Sequence, residues 1–570
     1  MTYTNKIFYI LDKKYNLKLI LILLLTLIMT LLELFSIALI IPLISSLVGS
    51  GDKVILFDYL KNHFELDDDK LLIIVLSLFI FIFFIKNSFL VFFNSVKIRF
   101  TYQLFVDLSN KIFKNYLLRD YSSFIKQNSS KFIRNVSGEC NIFSFGIIMS
   151  YITLVSDLII VFFISLFLLY YNFFSSLFVI LFIVILSGFL LRLTNNKFKH
   201  WGLIRLEYAG KILQNLQESY GYIKEIIFSG SQKYFIDRHL KNNNFSSNAS
   251  VKRDVFSIVS RPILETVALI AFYILILTSL FLDINKTDIL VLIGVIFFAS
   301  IKLLPSITNI IKSIQSIRFN LPSVNVLYDE LRYQQKNPRT KDTKKFNKNF
   351  KKIIFKKVNF FYDDKAKRIL DSLNLEIKKN DRIGIMGKSG EGKTTFLNLL
   401  SGLLNPTSGQ INIDNNPMKS ISNQWKRNIS YVHQNVFLAD DTVLFNLILK
   451  NTVNKKELEK IWKTLKIVEL DEYVKSLKKG LYTVVGERGS KLSGGQSQRL
   501  GIARSLLRDH SILIFDEATS ALDEETQKRV LKSIYTQMTQ KTIITVSHRS
   551  NTLKYCKKVL KLVNGKLTKK

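Results

Sequence analysis

Cysteine is almost absent: Cys140 and Cys556 are the only two in 570 residues, and they lie far apart in the chain. A disulfide framework is therefore excluded, which fits a chain facing a reducing cytoplasm. Acidic residues are also scarce, 44 Asp+Glu against 80 Lys+Arg, for a formal charge of +36. Such an excess can mark a nucleic-acid binder. Next to long apolar runs it marks cytoplasmic faces near anionic lipid instead, and no nucleic-acid partner is expected. What is abundant is apolar sequence, 48% of the chain, and it is clustered. Runs such as LILILLLTLIMTLL (19–32) and VFFISLFLLYYNFFSSLFVILFIVIL (161–186) are too long for a soluble core. A purely soluble enzyme and a disordered chain are both excluded.

Six spans are expected, over about 17–45, 71–96, 144–170, 172–194, 256–282 and 289–315. The third and fourth are joined only by Tyr170, Tyr171 and Asn172, so they form a tight helical hairpin. Residues 1–16 interleave Ile7, Phe8, Ile10 and Leu11 with Lys6, Asp12, Lys13 and Lys14, the pattern of an interfacial helix leading into an uncleaved span. The connections 97–143 and 195–255 are rich in Lys and Arg, whereas 46–70 ends in Asp67, Asp68 and Asp69. Loop charge therefore places the N-terminus and both long connections in the cytoplasm. Both connections read as helical inward extensions of the spans. In the acidic loop, Val54, Ile55, Phe57, Leu60 and Phe64 share one side of a short amphipathic helix, or else belong to a packed loop.

Composition changes after the sixth span. The transmembrane domain is expected over 1–330, a basic linker over 331–352, and an α/β domain over 353–570, where short apolar strands alternate with helices. The strand RIGIMG runs into Gly387, Lys388, Ser389, Gly390, Glu391, Gly392, Lys393 and Thr394, which match the phosphate loop G-x-x-x-x-G-K-S/T. Its glycines let backbone N–H groups face phosphates, and the following helix adds its positive end. Lys393 is placed for the β- and γ-phosphates, and the Thr394 hydroxyl for Mg²⁺. Downstream, Ile512–Phe515 is an apolar strand delivering Asp516, suited to hold the metal, and Glu517, suited to act as general base.

Between these lies Leu492-Ser493-Gly494-Gly495-Gln496, and here the chain resembles the ATP-binding cassette (ABC) proteins. The resemblance covers six spans and one cassette, and it implies a membrane all-α domain followed by an α/β P-loop ATPase using ATP and Mg²⁺. It also implies roles. Tyr362 stacks on adenine and Thr395 adjoins the nucleotide. Gln434 of YVHQ is the Q-loop glutamine, which also reaches the metal. Asp523 belongs to the D-loop (520–523), 483–489 resemble the exporters' X-loop, and His548 of VSHR contacts the γ-phosphate. Two cassettes stack head to tail, so that Ser493, Gly494, Gly495 and Gln496 of one copy close over ATP on the other. The chain must pair, most simply as a homodimer.

Cargo must be read from the membrane half. Lys86, Arg261 and Lys302 are cations inside spans, and charges there are costly enough to be functional hypotheses. Together they would suit a phosphate or pyrophosphate headgroup. Alternatively, Glu33, Asp157 and Glu265 neutralise them internally. The membrane half resembles PglK-type flippases in its first span with Glu33 and ALIIPLISSL (38–47), in its outer-loop helix and in these cations. That resemblance implies flipping of a polyprenyl-diphosphate-linked oligosaccharide outward across a bacterial inner membrane. Lipid A, a drug or a peptide are the alternative cargoes, and a channel or receptor regulator is the alternative class.

Overall fold

In hydrocarbon a backbone can hydrogen-bond only to itself, so the leucine- and isoleucine-rich stretches fold as helices. A computed structural model describes residues 2–40, 68–171, 173–281, 286–336, 342–362 and 368–569. Two units result, Met1–Arg119 with Phe124–Pro338, and Asp120–Ser123 with Arg339–Lys570.

The first unit is helical: α1 (Tyr3–Ile10), α2 (Asn16–Ala38), α3 (Asp68–Leu117), α4 (Met149–Tyr171), α5 (Phe173–Gly221), α6 (Gln232–Phe281) and α7 (Lys286–Lys336). Among the described residues, five helices are long and apolar enough to cross a membrane, within 13–38, 76–117, 142–171, 176–194 and 294–334. The other expected span, 256–282, falls on the second half of α6 and ends outside the described residues. Also outside them are 41–67, on which the end of the first expected span and the expected outer-loop helix or packed loop fall. The hairpin between α4 and α5 is tight, and Ser176 donates across it to the Leu168 carbonyl at 2.8 Å.

The long connections are continuations of spans. The 50 residues of α3 measure about 75 Å, more than twice the hydrocarbon thickness. The largely buried side chains of Arg119, Arg134 and Arg205 each face a carboxylate, as burial of charge demands. Arg205 donates to Glu139 at 3.2 Å, Ser323 donates to the same carboxylate at 2.5 Å, and Arg119 donates to Glu330 at 2.6 Å. Helix α5 approaches α7 so closely at Gly202 that a Cβ there would lie 1.9 Å from the Phe319 carbonyl oxygen.

In the second unit, β1 (Lys352–Phe360), β2 (Leu370–Lys378) and β4 (Ser408–Ile413) form an antiparallel sheet. The larger sheet holds β3 (Arg382–Met386), β5 (Ile429–Val432), β6 (Ile512–Asp516), β7 (Thr542–Val546), β8 (Lys558–Val563) and β9 (Lys566–Lys569), in the order β9-β8-β3-β7-β6-β5. All its pairings are parallel except β9 with β8. Every residue of β6 and β7 is buried, which explains their unbroken apolar runs. Parallel pairing puts the carboxyl ends of β3, β6 and β7 on one edge, so the loops after Met386, Asp516 and Val546 converge there.

The residues expected as a basic linker are ordered differently. Helix α7 runs on to Lys336, and the part after Asp342 packs on the cassette. The Asp342 carboxylate accepts from the Asn423 and Gln424 amides, and Phe346 and Phe350 stand edge-on to Trp425. Those amides open a helical turn and need an acceptor, and the aromatic rings bury apolar area. Both effects outweigh the polar composition that suggested a free linker.

One cassette histidine sets a pH limit. His510 is buried with both ring nitrogens unpartnered, and burial, then the nearby Lys541 cation, pushes it down to about 4 from 6.5. Above about pH 6.5 neither folded nor unfolded chain holds this proton. Between 6.5 and 4 only the unfolded chain does, so stability falls as pH falls. Unfolding at pH 5 is expected to cost about 2 kcal/mol less than at pH 7.5 through this group, and His510→Leu should remove that difference. An unchanged pH dependence of denaturant midpoints in the variant would contradict this origin.

Candidate nucleotide site and membrane charge cluster

Helix α8 (Lys393–Leu400) starts directly from the phosphate loop, where Gly390 and Gly392 have φ of 85° and 93°. Only glycine adopts these angles without strain. The Lys393 ammonium folds back into the loop, donating to the Gly387 carbonyl at 2.7 Å and the Lys388 carbonyl at 2.9 Å. Burial lowers its pKa, and the Glu517, Glu391 and Asp516 carboxylates oppose that shift. Glu391 accepts from the Lys388 amide at 2.9 Å, so its carboxylate lies on the loop itself.

At the ends of β6 and β7, Glu517 is gripped at both oxygens. Its Oε2 accepts from Gln434 Nε2 at 2.9 Å, and its Oε1 lies 2.8 Å from His548 Nε2. That same nitrogen is 3.1 Å from Lys393 Nζ. One nitrogen cannot donate to the carboxylate and accept from the ammonium. The tautomer with the proton on Nε2 serves the unsatisfied carboxylate, because the ammonium is already held by two carbonyls. Glu517 itself has φ of 49°, a left-handed turn that lifts its side chain off the strand end.

Asp516 is buried and accepts from the Tyr431 hydroxyl at 2.8 Å. Burial raises its pKa, and the Tyr431 hydrogen bond works against that. The loop thus gathers three carboxylates, Glu391, Asp516 and Glu517, around one lysine. A highly charged triphosphate would be repelled without a divalent cation, and an all-oxygen donor set drawn from Thr394, Gln434 and Asp516 fits Mg²⁺. The other residues expected at the nucleotide lie close to each other: the Tyr362 hydroxyl is 3.3 Å from that of Thr395, and Tyr362 is 39% exposed.

Ser493, Gly494, Gly495 and Gln496 stand apart. Ser493 caps α9 (Gly494–Leu506): the Gln496 amide donates to its Oγ at 3.2 Å, and the Gln496 side chain accepts from the Ser493 amide at 2.8 Å. Among the described residues, no hydrogen bond or ion pair joins 493–496 to the phosphate loop. Asp523 caps α10 (Glu524–Gln537) by accepting from the Thr526 amide at 2.8 Å. Two residues went unread in the sequence. Gln498 donates to the Ser520 hydroxyl at 3.0 Å and accepts from the Ala521 amide at 2.8 Å, tying the signature helix to the D-loop. Tyr431 is the other. Both belong to motifs by neighbourhood alone, and the signal was there, two residues beyond LSGGQ and three before Gln434.

Gly495 is constrained on one side. A Cβ there would lie 3.3 Å from the Ala521 carbonyl and 3.4 Å from Leu522. Gly495→Leu is expected to abolish ATP turnover while nucleotide binding to the phosphate loop changes less than about threefold. Equal loss of both in equilibrium binding and steady-state assays would place this loop at the chain's own nucleotide.

In the transmembrane unit, Lys86 is 1% exposed and its Nζ lies 3.4 Å from Glu33 Oε2; Lys302 Nζ lies 3.7 Å from the same oxygen. Both ammonium groups also lie over the Phe83 ring, at 3.9 and 5.2 Å from its centroid. Two cations share one carboxylate. Arg261 is not brought to them: it pairs with Glu265, one turn along α6, at 2.7 Å. Asp157 is buried and forms no ion pair with any of the three among the described residues.

Comparison with known proteins agrees with this architecture. Residues 19–305 match the ABC transporter transmembrane region family, and residues 370–520 match the ABC transporter cassette family. The chain is 28% identical to an ATP-dependent lipid A-core flippase of Sodalis glossinidius over 390 residues, 67% of this chain and 66% of that protein. It is 26% identical over 474 residues to a protein of that name from Ralstonia nicotianae, covering 81% of this chain and 79% of the relative. A bacterial Atm1-family ABC exporter solved with ATP bound superposes with a TM-score of 0.78 at 19% identity, over 98% of this chain and 95% of that one, a likeness of fold.

Proposed function

The chain belongs to the ABC transporter family, with a transmembrane region and an ATP-hydrolysing cassette in one polypeptide, and on that premise we propose that it flips a phosphate-bearing glycolipid across a bacterial cytoplasmic membrane. The observation that carries the cargo class is the sharing of Glu33 by Lys86 and Lys302, which leaves one positive charge for an anionic headgroup. The relatives' name supports a lipid A-type cargo ahead of the polyprenyl-diphosphate-linked oligosaccharide, the drug or the peptide.

Two copies pair, each phosphate loop facing the partner's signature segment. Mg²⁺, held by Thr394, Gln434 and Asp516, would neutralise charge on the phosphate oxygens. Glu517 takes the proton of the attacking water, while Gln434 and His548 hold its two oxygens in place. ATP binding then favours one domain arrangement and its loss another, and the segments 121–126 and 220–226 carry that shift to the spans.

The test is leaflet-resolved transport in proteoliposomes carrying lipid A, a polyprenyl-diphosphate-linked sugar or a zwitterionic phospholipid. ATP-dependent movement of lipid A above the others is the expected result. Movement of only the polyprenyl-linked sugar would restore that cargo, and ATP hydrolysis without any movement would favour a regulator.

A further inference from the structure

A groove of about 310 Å³ opens among α1, α2 and α4, and Glu33, Lys86 and Lys302 are not in its lining. Ile7 and Phe8, Leu19 and Ile22, and Ile152 and Val155 supply its walls. Its deep end is closed by Ser156, whose hydroxyl lies 3.2 Å from that of Thr26, which in turn donates to the Ile22 carbonyl at 2.8 Å. These polar atoms are already paired, so the interior recognises an occupant by apolar contact alone.

Depth and charge say which occupant. Leu19 and Ile22 follow Lys13 by six and nine residues, which puts the groove about 9–14 Å inside the start of the span. The segment that links the lining residues Leu11 and Leu19 carries Lys13, Lys14 and Lys18 against Asp12 alone. Lys14 is engaged by Asp107 at 2.7 Å, and Asp12 accepts from Lys111 at 2.8 Å. Lys13 is exposed, and no hydrogen bond or ion pair holds it among the described residues. An apolar interior with an exposed, unengaged cation two residues along the chain from its lining residue Leu11 matches a ligand with a hydrocarbon tail and an anionic head.

We propose that this groove holds one acyl chain of an anionic phospholipid, with the phosphate at Lys13, as a resident ligand separate from the cargo. The loop-charge orientation makes it a lipid of the cytoplasmic leaflet. Bound there, the chain joins α1 to α2 and α4 where protein side chains leave a gap.

The experiment uses the full-length protein, delipidated in detergent, exposed to vesicles of phosphatidylglycerol or phosphatidylcholine, and examined by native mass spectrometry for retained lipid. The wild type is expected to retain phosphatidylglycerol about fivefold over phosphatidylcholine, the increment of one interfacial lysine. Lys13→Gln should erase the preference while leaving some retention of both. Leu19→Trp, which fills the groove, should lose retention of both, and Val155→Trp does the same from the opposite wall if the first variant folds poorly. Undiminished retention by a folded tryptophan variant overturns the proposal. So does a wild type that retains no lipid, the outcome expected if a second copy covers the groove, and so does equal retention of the two lipids by the wild type.

Discussion

Glu517→Gln is expected to lower ATP turnover by at least about 10²-fold while nucleotide binding persists. The side chain loses little geometry, since an amide has the carboxylate's shape and its oxygen can still face Gln434 or His548. What it loses is the ability to take a proton. The contacts at 2.9 and 2.8 Å hold the wild-type carboxylate in place, and the amide can keep that position without the carboxylate's basicity. The measurement is steady-state phosphate release beside nucleotide affinity in the same preparation. Binding without turnover should make the paired, ATP-loaded state accumulate, visible as a stable dimer. Near-normal hydrolysis would remove Glu517 from the role of base and leave Asp516, which is buried and bonded to Tyr431, as a poor replacement.

The second large effect is expected in the membrane. Lys86→Gln with Lys302→Gln should reduce flipping of a phosphate-bearing lipid more than tenfold, since each charge-assisted contact contributes about 1.5–3 kcal/mol. The same change also strands Glu33, which is buried, and an unpaired buried charge can cost about 3–5 kcal/mol of stability. Adding Glu33→Gln separates the two effects. The triple variant should recover folded yield and basal ATP hydrolysis but not transport. Transport that returns along with folding would mean that the lysines serve only to neutralise Glu33. Arg261→Gln alone should matter little, because its i,i+4 pair with Glu265 is 67% and 46% exposed and such pairs contribute about 0.3–0.5 kcal/mol.

The sequence made the nucleotide chemistry legible because phosphate binding demands fixed spacing within short segments. Gly387–Thr394, Ser493–Gln496 and Asp516–Glu517 each announce themselves locally. Gln498 and Tyr431 did not, since their roles depend on contacts across 22 and 85 positions of sequence. The membrane charges divide the same way. The sequence reading groups Arg261 with Lys86 and Lys302, whereas it pairs with Glu265 at i,i+4, a spacing present in the sequence but not used. The meeting of Lys86 and Lys302 at Glu33 depends on how three helices rotate about their axes, which apolar composition leaves open. The segment after Asp342 misled for a related reason: its composition is polar, and its order comes from two aromatic residues and one aspartate finding partners on the cassette.

Helix α3 runs for 50 residues without one proline or glycine. It has no built-in joint, so bending it means stretching its hydrogen bonds. It therefore acts as a lever arm. Tilting a rod of about 75 Å by about 5° about one end displaces the other by roughly 6–7 Å, more than a full helical turn. A small angular change imposed at the tip near Leu117 is thus magnified at the far end rather than absorbed along the way. Inserting a glycine pair at the middle of α3 would soften that arm, and ATP hydrolysis would continue while its coupling to transport weakened.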